Sequence, residues 1–310
     1  MQTNTAEMQS GYTYAGAPAA ANGGGWTIGE VLGERQFNKK APWLPATLSG
    51  SGFFDDPDLR IAMSQVEMAS YAHLFGFVEE FIAPLMARRS GDFAIVNREG
   101  FDALSQFVSE EIKHMNLFRR VRERADENLG IQCRLLDNSQ EVAQFVHSKS
   151  DAAILLLTAC IEWFTQAHYL ESIRDHNDLD PLCKRIFRYH WAEEAGHARI
   201  DHLETIREFA GLSQAGKNQA AEELVELVLA VDGLLATQSS RDIENFTALT
   251  GVRPEGEERK ALAAAVHRAK RHTFIVSGVT HPEFQRLFTE VFDEAQQKKV
   301  VDGLAPVLQD

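Results

Sequence analysis

The chain has 310 residues, 44% of them hydrophobic and 25% charged, with a formal net charge of −14. That length supports one large domain, or a bundle with a helical extension, and a sizeable core. The negative balance repels phosphate backbones and anionic lipid, so neither nucleic acid nor a membrane surface is an expected partner.

No apolar run approaches the roughly 20 residues needed to span a bilayer, and the longest, Ala152 to Ile161, ends at Glu162. The N-terminus lacks a basic start followed by an apolar stretch, so a cytoplasmic location is expected. Cys133, Cys160 and Cys183 are widely spaced and include no C-x-x-C pair, which indicates buried thiols and neither a disulfide framework nor a thiolate metal site.

Residues 1 to 25 are rich in small and polar types, end in Gly23-Gly24-Gly25, and carry too little apolar surface to offset ordering entropy. They predict a disordered tail. Residues 26–56 have scattered aromatics, Pro42 and Pro45 but no sustained period, which predicts an extended strap anchored by Trp26 and Trp43. From Pro57 the apolar residues recur three and four apart, predicting a first long helix to about Arg88 and a second from Arg98 to about Glu127, stopped by Gly130. A third helix starts at Ser150-Asp151 and runs to about Asp175. A fourth is capped by Asp180, opens on Pro181 and ends near Gly211. Helices of about 25 to 30 residues reach roughly 40 Å, the length of long bundles. Residues 212–310 read as further helices, separated by Gly216, Gly251 and Gly278, packed on a core formed by 57–211. The fold class expected is all-α: a four-helix bundle with additional C-terminal helices.

The second helix carries Glu111-Ile112-Lys113-His114 and the fourth carries Glu194-Ala195-Gly196-His197, so one E-x-x-H spacing occurs twice on separate helices. Spacing of three puts both side chains on one face. Carboxylate with imidazole suits iron or manganese. Glu162 stands inside an apolar run on the third helix, where a charge is costly unless something pairs with it. The first helix offers Glu79 or Glu80. Glu79 is favoured because it shares a face with Ala72, Phe75, Ile82 and Met86, while Glu80 faces with His73, Phe77 and Pro84. Di-iron carboxylate bundles take one Glu from each of two helices and one Glu-x-x-His from each of the other two, all pointing inward. His190, Glu194 and His197 add an arc of roughly 60° on the fourth helix. Asp201, four residues after His197, is a candidate for orienting that imidazole from behind.

The series Glu, Glu-Glu-x-x-His, Glu, His-x-x-x-Glu-x-x-His resembles the di-iron arylamine N-oxygenases of the ferritin-like superfamily, the family that includes p-aminobenzoate N-oxygenase. The similarity covers about residues 60 to 205 and rests on Glu110-Glu111-Ile112-Lys113-His114 and His190-Trp191-Ala192-Glu193-Glu194-Ala195-Gly196-His197. Family members can have Asp where this chain has Glu110. The resemblance implies that Glu111, His114, Glu162, His190, Glu194 and His197 are metal ligands. It further implies two iron ions, with manganese possible for the same donors, that reduce dioxygen to a bound peroxo species. The substrate would be a small-molecule amine, oxidised through hydroxylamine and nitroso stages toward nitro. An external ferredoxin or reductase must supply electrons, because the chain has no flavin fingerprint, no G-x-G-x-x-G and no cysteine cluster. A homodimer is also implied. The alternatives are another oxidative outcome at the same site (C–H hydroxylation, desaturation or oxidative cleavage) and a ferritin-like iron-storage protein.

Overall fold

The structure is a computed structural model that describes residues 2–16 and 25–308. Among the described residues the regular elements are helical and no strand forms. In chain order they are α1 (Gln2–Ser10), α2 (Ile28–Val31), α3 (Pro57–Phe93), α4 (Arg98–Leu129), α5 (Ser139–His147), α6 (Asp151–Ala167), α7 (Pro181–Phe209), α8 (Gln214–Thr250), α9 (Gly256–Arg271), α10 (Ser277–Val279), α11 (Pro282–Val291) and α12 (Glu294–Leu308). The pairs α3 with α4 and α6 with α7 pack together as the four-helix core.

Local chemistry sets the ends of these helices. Asp56 caps α3 ahead of Pro57, Asn97 caps α4, Ser150 caps α6 and Asp180 caps α7 ahead of Pro181. Each side-chain oxygen accepts an otherwise unpaired N–H of the first turn. Gly130 ends α4 at φ 75°, a left-handed conformation that a Cβ would oppose. Pro84 lies inside α3 and cannot donate to the Glu80 carbonyl; both residues face solvent, where water can satisfy that group.

Residues 26–56 lie against the bundle and are pinned to it through their backbone. Ser64 of α3 accepts from the N–H groups of Trp43 and Leu44, both at 2.8 Å. Asp180 has two tasks: Oδ1 accepts from Cys183 N at 2.9 Å as the cap, and Oδ2 accepts from Asn38 N at 2.7 Å. Asp180→Ala removes both acceptors from a buried position, so it is expected to cost about 1–3 kcal/mol in urea unfolding, against about 1 for a cap alone.

Three expectations need correcting. Residues 2–16 are not a disordered tail: α1 packs on α7, and Tyr14 is fully buried, edge-on to Phe93, with its hydroxyl donating to Glu204 at 2.6 Å. The local composition offers no core of its own, but one aromatic with a polar tip finds a site on a distant helix. Residues 17–24 of that segment lie outside the described residues. The third helix does not stay α-helical to Asp175, because His168–Ile173 form a π-helical turn after α6. The C-terminal breaks also shift. Gly216 lies inside α8, which is continuous to Thr250, and α9 passes into a second π-helical turn, His272–Val276. Gly278 then meets α6 so closely that a Cβ would fall 2.4 Å from the Cys160 carbonyl oxygen.

One buried charge network ties the extension to the bundle. Lys270 of α9 is fully buried and reaches Asp242 at 2.8 Å, Ser70 at 3.1 Å and Glu67 at 3.5 Å. Asp242 also accepts from Gln238 and Ser70, and Glu67 accepts from Gly50 N at 2.7 Å.

Candidate metal centre

Each of the four core helices sends carboxylate or imidazole groups to one point in the bundle interior. Glu79, Glu111, His114, Glu162, His190, Glu194 and His197 are all buried, none more than 3% exposed. Glu80 is exposed on the outer surface of α3, whereas Glu79 is buried among the other donors. Donor atoms of Glu79, His114, His190 and Glu194 lie within 4.8 Å of one another, and so do those of Glu111, His114, Glu194 and His197. Glu162 belongs to neither tight group but adjoins them: burial first, then the charges of Glu194 and Glu111, hold its carboxyl well above the usual range.

The two oxygens of Glu194 face different ways. Oε1 lies 3.0 Å from His114 Nδ1 and 2.6 Å from His190 Nε2, while Oε2 lies 2.6 Å from His197 Nδ1. Glu111 repeats the pattern, with Oε1 2.8 Å from His197 Nδ1 and Oε2 4.0 Å from His114 Nδ1. Glu79 Oε1 is 3.3 Å from His190 Nε2 and 4.0 Å from His114 Nδ1. Two carboxylates therefore stand between two histidine sets.

Behind the imidazoles stand two carboxylates that complete the arrangement. His114 Nε2 is 2.8 Å from Glu193, and His197 Nε2 is 3.0 Å from Glu110. Each E-x-x-H histidine is thus held by the glutamate that precedes the motif glutamate on the opposite helix. This fixes which ring nitrogen faces inward: Nδ1 in both cases. Asp201 does not have the orienting role expected of it, because Glu110 takes the outer nitrogen of His197. Asp201 is fully buried, and that burial drives its carboxyl well up despite Thr158 and His197. The signal for Glu110 and Glu193 was present as the doubled glutamate of each motif, Glu110-Glu111 and Glu193-Glu194.

The electrostatics are those of buried carboxylates and imidazoles crowded together. Burial, then the neighbouring carboxylates Glu111 and Glu194, pushes Glu79 well up; burial and Glu194 push up Glu111. Glu194 is held well below its usual value by His190, His197 and His114, which outweigh its burial. Glu194 and Glu111 outweigh burial at His197 and raise it well above the usual range. Seven inward atoms make no hydrogen bond of good geometry, their close contacts being with other donors of the cluster: Glu79 Oε2, both Glu111 oxygens, His114 Nδ1, Glu162 Oε2, Glu194 Oε2 and His197 Nδ1. Native interiors seldom leave one such atom unsatisfied, and a cluster of them converging on one volume fits bound metal. Carboxylate and imidazole donors without thiolate suit iron or manganese.

The walls of the site are aromatic. Phe75 and Phe118 stand edge-on to His190, Phe107 stacks on His197 at 3.9 Å, and Trp26 stacks on His114 at 5.8 Å with 14° between planes. An apolar cavity of about 60 Å³ lies elsewhere, lined in part by Phe77, Phe81, Leu157 and Phe164 on the faces of α3 and α6 opposite Glu79 and Glu162.

A family model described as p-aminobenzoate N-oxygenase AurF matches residues 54–281, which take in all four core helices and most of the extension. The chain belongs to this family. Membership in the p-aminobenzoate N-oxygenase family makes the fold a ferritin-like bundle and the protein an oxygenase of the di-iron class, and the buried Glu/His cluster fits such a centre. The matched span exceeds the E-x-x-H segments and includes α8, α9 and the π-helical turn after it, while α11 and α12 lie beyond it. No curated protein and no solved structure gave a significant match. Among the described residues no helix is long and apolar enough to cross a membrane.

Proposed function

We propose that the protein is a di-iron monooxygenase that activates dioxygen and transfers oxygen to the nitrogen of an arylamine, toward hydroxylamine, nitroso and nitro products. The observation that carries this reading is the pair Glu194 and Glu111, each with its two oxygens turned toward different histidines, in a chain of the p-aminobenzoate N-oxygenase family. One metal would be held by Glu79, His114 and His190, its neighbour by Glu162 and His197, with Glu111 and Glu194 shared. Bound there, a pair of irons supplies the redox capacity that the side chains lack.

The chain's own residues position and shield. Glu110 and Glu193 hold the two E-x-x-H imidazoles with Nδ1 inward, and Lys113 braces Glu193 at 2.5 Å. Phe75, Phe107 and Phe118 exclude water, which strengthens every electrostatic contact inside. Electrons come from an external ferredoxin or reductase. We further propose a homodimer and a cytoplasmic location, the first checked by light scattering of the purified chain.

Glu193→Gln keeps the shape of the outer contact but removes its charge and its tie to Lys113. It is expected to weaken iron affinity about 10- to 100-fold, as loss of an outer partner does at other centres, with unfolding of the metal-free protein little changed. Competition with a chelator checks this.

The function is tested by exposing reduced, iron-loaded protein to ¹⁸O₂ and a panel of arylamines, with mass analysis of the products. Label on nitrogen supports the reading, and label on carbon points to hydroxylation. Oxygen consumption without transfer to any amine contradicts it, and many irons per chain in a very large particle would make the protein a storage bundle.

A further inference from the structure

The chain is strongly acidic, yet one face beside the metal centre is not. Residues 26–38 lie in the groove between α4 and α7: Lys113 donates to Trp26 O, Arg124 to the carbonyls of Leu32, Gly33 and Arg35, and Arg185 to those of Glu30 and Val31. Carbonyls satisfy these donors without cancelling their charge. Arg120 falls on the same stripe of α4, seven residues after Lys113 and four before Arg124, and Arg188 lies one turn beyond Arg185. Arg35, Arg120 and Arg188 are exposed. Of these six cations only Lys113 is ion-paired among the described residues, to the buried Glu193. The same face carries Glu30 and Glu34 on the strap and Glu127 one turn after Arg124 on α4, which leaves the cations in excess. In sequence the cations are spread over three segments of an acidic chain, so only the fold gathers them.

A second observation at the same place concerns Trp26. Its indole is 6% exposed at the end of this groove, stacks parallel to His114 at 5.8 Å, and touches Tyr189 edge-on at 6.0 Å. His114 Nδ1 in turn faces Glu194 at 3.0 Å. A π-system joining the surface to a metal-facing imidazole shortens the path over which electronic coupling must decay. The Lys113 ammonium stands 4.1 Å over the indole ring and disfavours removing an electron from it. Trp26 is therefore suited to be a bridge that stays closed-shell.

We propose that this basic face, formed by α4, α7 and the strap between them, is the docking surface for an acidic iron–sulfur electron carrier, and that Trp26 couples the docked carrier to the metal centre through His114. The inference rests on the reading that the centre holds iron reduced by an external protein. Each encounter oxidises the carrier by one electron and reduces the metal pair by one; two encounters take a ferric pair to the ferrous state, with no bond made or broken. A carrier of opposite charge gains both steered encounter and orientation from such a face, and both are screened by salt.

The test is anaerobic stopped-flow reduction of the full-length, ferric, iron-loaded protein by photoreduced plant-type [2Fe–2S] ferredoxin, and in parallel by neutral reduced phenazine. Arg120→Glu with Arg188→Glu should slow reduction by ferredoxin about tenfold or more at low ionic strength, converge on wild type at high salt, and weaken ferredoxin binding measured by calorimetry. Trp26→Leu should leave that binding unchanged while slowing ferredoxin reduction at least as much, with partial recovery in Trp26→Phe. Phenazine should reduce the charge-reversed protein at the wild-type rate, and for Trp26→Leu the ferredoxin rate is read relative to the phenazine rate of the same variant. Unchanged ferredoxin rates and affinity in the charge-reversed protein overturn the docking surface, and an unchanged rate in Trp26→Leu overturns the bridge; both leave the external-donor reading standing. Wild-type protein that phenazine reduces but ferredoxin neither binds nor reduces would overturn the donor class itself.

Discussion

Glu194→Ala is expected to give a folded helical protein that no longer retains iron at either position. Glu194 is the residue whose oxygens reach all three inward histidines, at 3.0, 2.6 and 2.6 Å, and it belongs to both groups of converging donors. Removing an outer carboxylate costs about 10- to 100-fold in affinity, and removing a shared inner one should exceed about 100-fold at each position. In the metal-free chain Glu194 is also the anion that compensates His114, His190 and His197, so the alanine variant lowers the proton affinity of those rings. Elemental analysis after gel filtration reads the first effect. Retention of both irons would remove Glu194 from the centre, and Glu194→Gln separates loss of charge from loss of shape.

The second large effect concerns stability. Lys270→Met should destabilise the protein by about 3–5 kcal/mol at neutral pH, because it leaves Asp242 and Glu67 buried without their cation. Burial is the main reason that Glu67 is pushed up to about 8, with Lys270 opposing and Asp242 reinforcing. Asp242 is raised as well, by burial, against Lys270. Below pH about 8, then, Glu67 is protonated in the folded protein. The sign of the pH dependence follows. A carboxyl whose folded pKa lies above its unfolded value binds more protons when folded, so this contribution is fully present below the unfolded value. It is lost as pH rises through about 8. Wild-type stability should therefore fall between neutral pH and pH about 9 by more than that of Glu67→Gln, which lacks the titrating group. The comparison isolates Glu67 from the carboxyls of the metal centre, which also titrate. Parallel pH profiles for the two proteins would contradict the assignment.

Much of the centre was legible before the fold because its chemistry is local to each helix. The spacing of Glu111 and His114, and of Glu194 and His197, fixes them on one helical face whatever the tertiary structure, and Glu162 announces itself as a charge in an apolar run. Glu79 over Glu80 followed from which of the two shares the apolar stripe, and the burial of Glu79 beside an exposed Glu80 agrees. What could not be read is what depends on pairing between helices. The crossed contacts of Glu110 to His197 and Glu193 to His114 need the register of α4 against α7, and without it Asp201 looked the better partner for His197. Tyr14 was hidden for the same reason. Its segment has no pattern of its own, and its burial comes from Phe93 and Glu204. The helix α5 passed unnoticed because nine residues give only two turns of periodicity. The stacking of Trp26 on His114 joins residues 88 positions apart, a contact that no local rule encodes.

The most direct measurement of the central claim is anomalous diffraction at the iron edge from crystals of the iron-loaded protein. Two peaks are predicted, one among Glu79, His114 and His190, the other beside His197 and Glu162, with the Glu111 and Glu194 carboxylates between them. A single peak, or none within this cluster in crystals whose solution contains two irons per chain, would contradict the account.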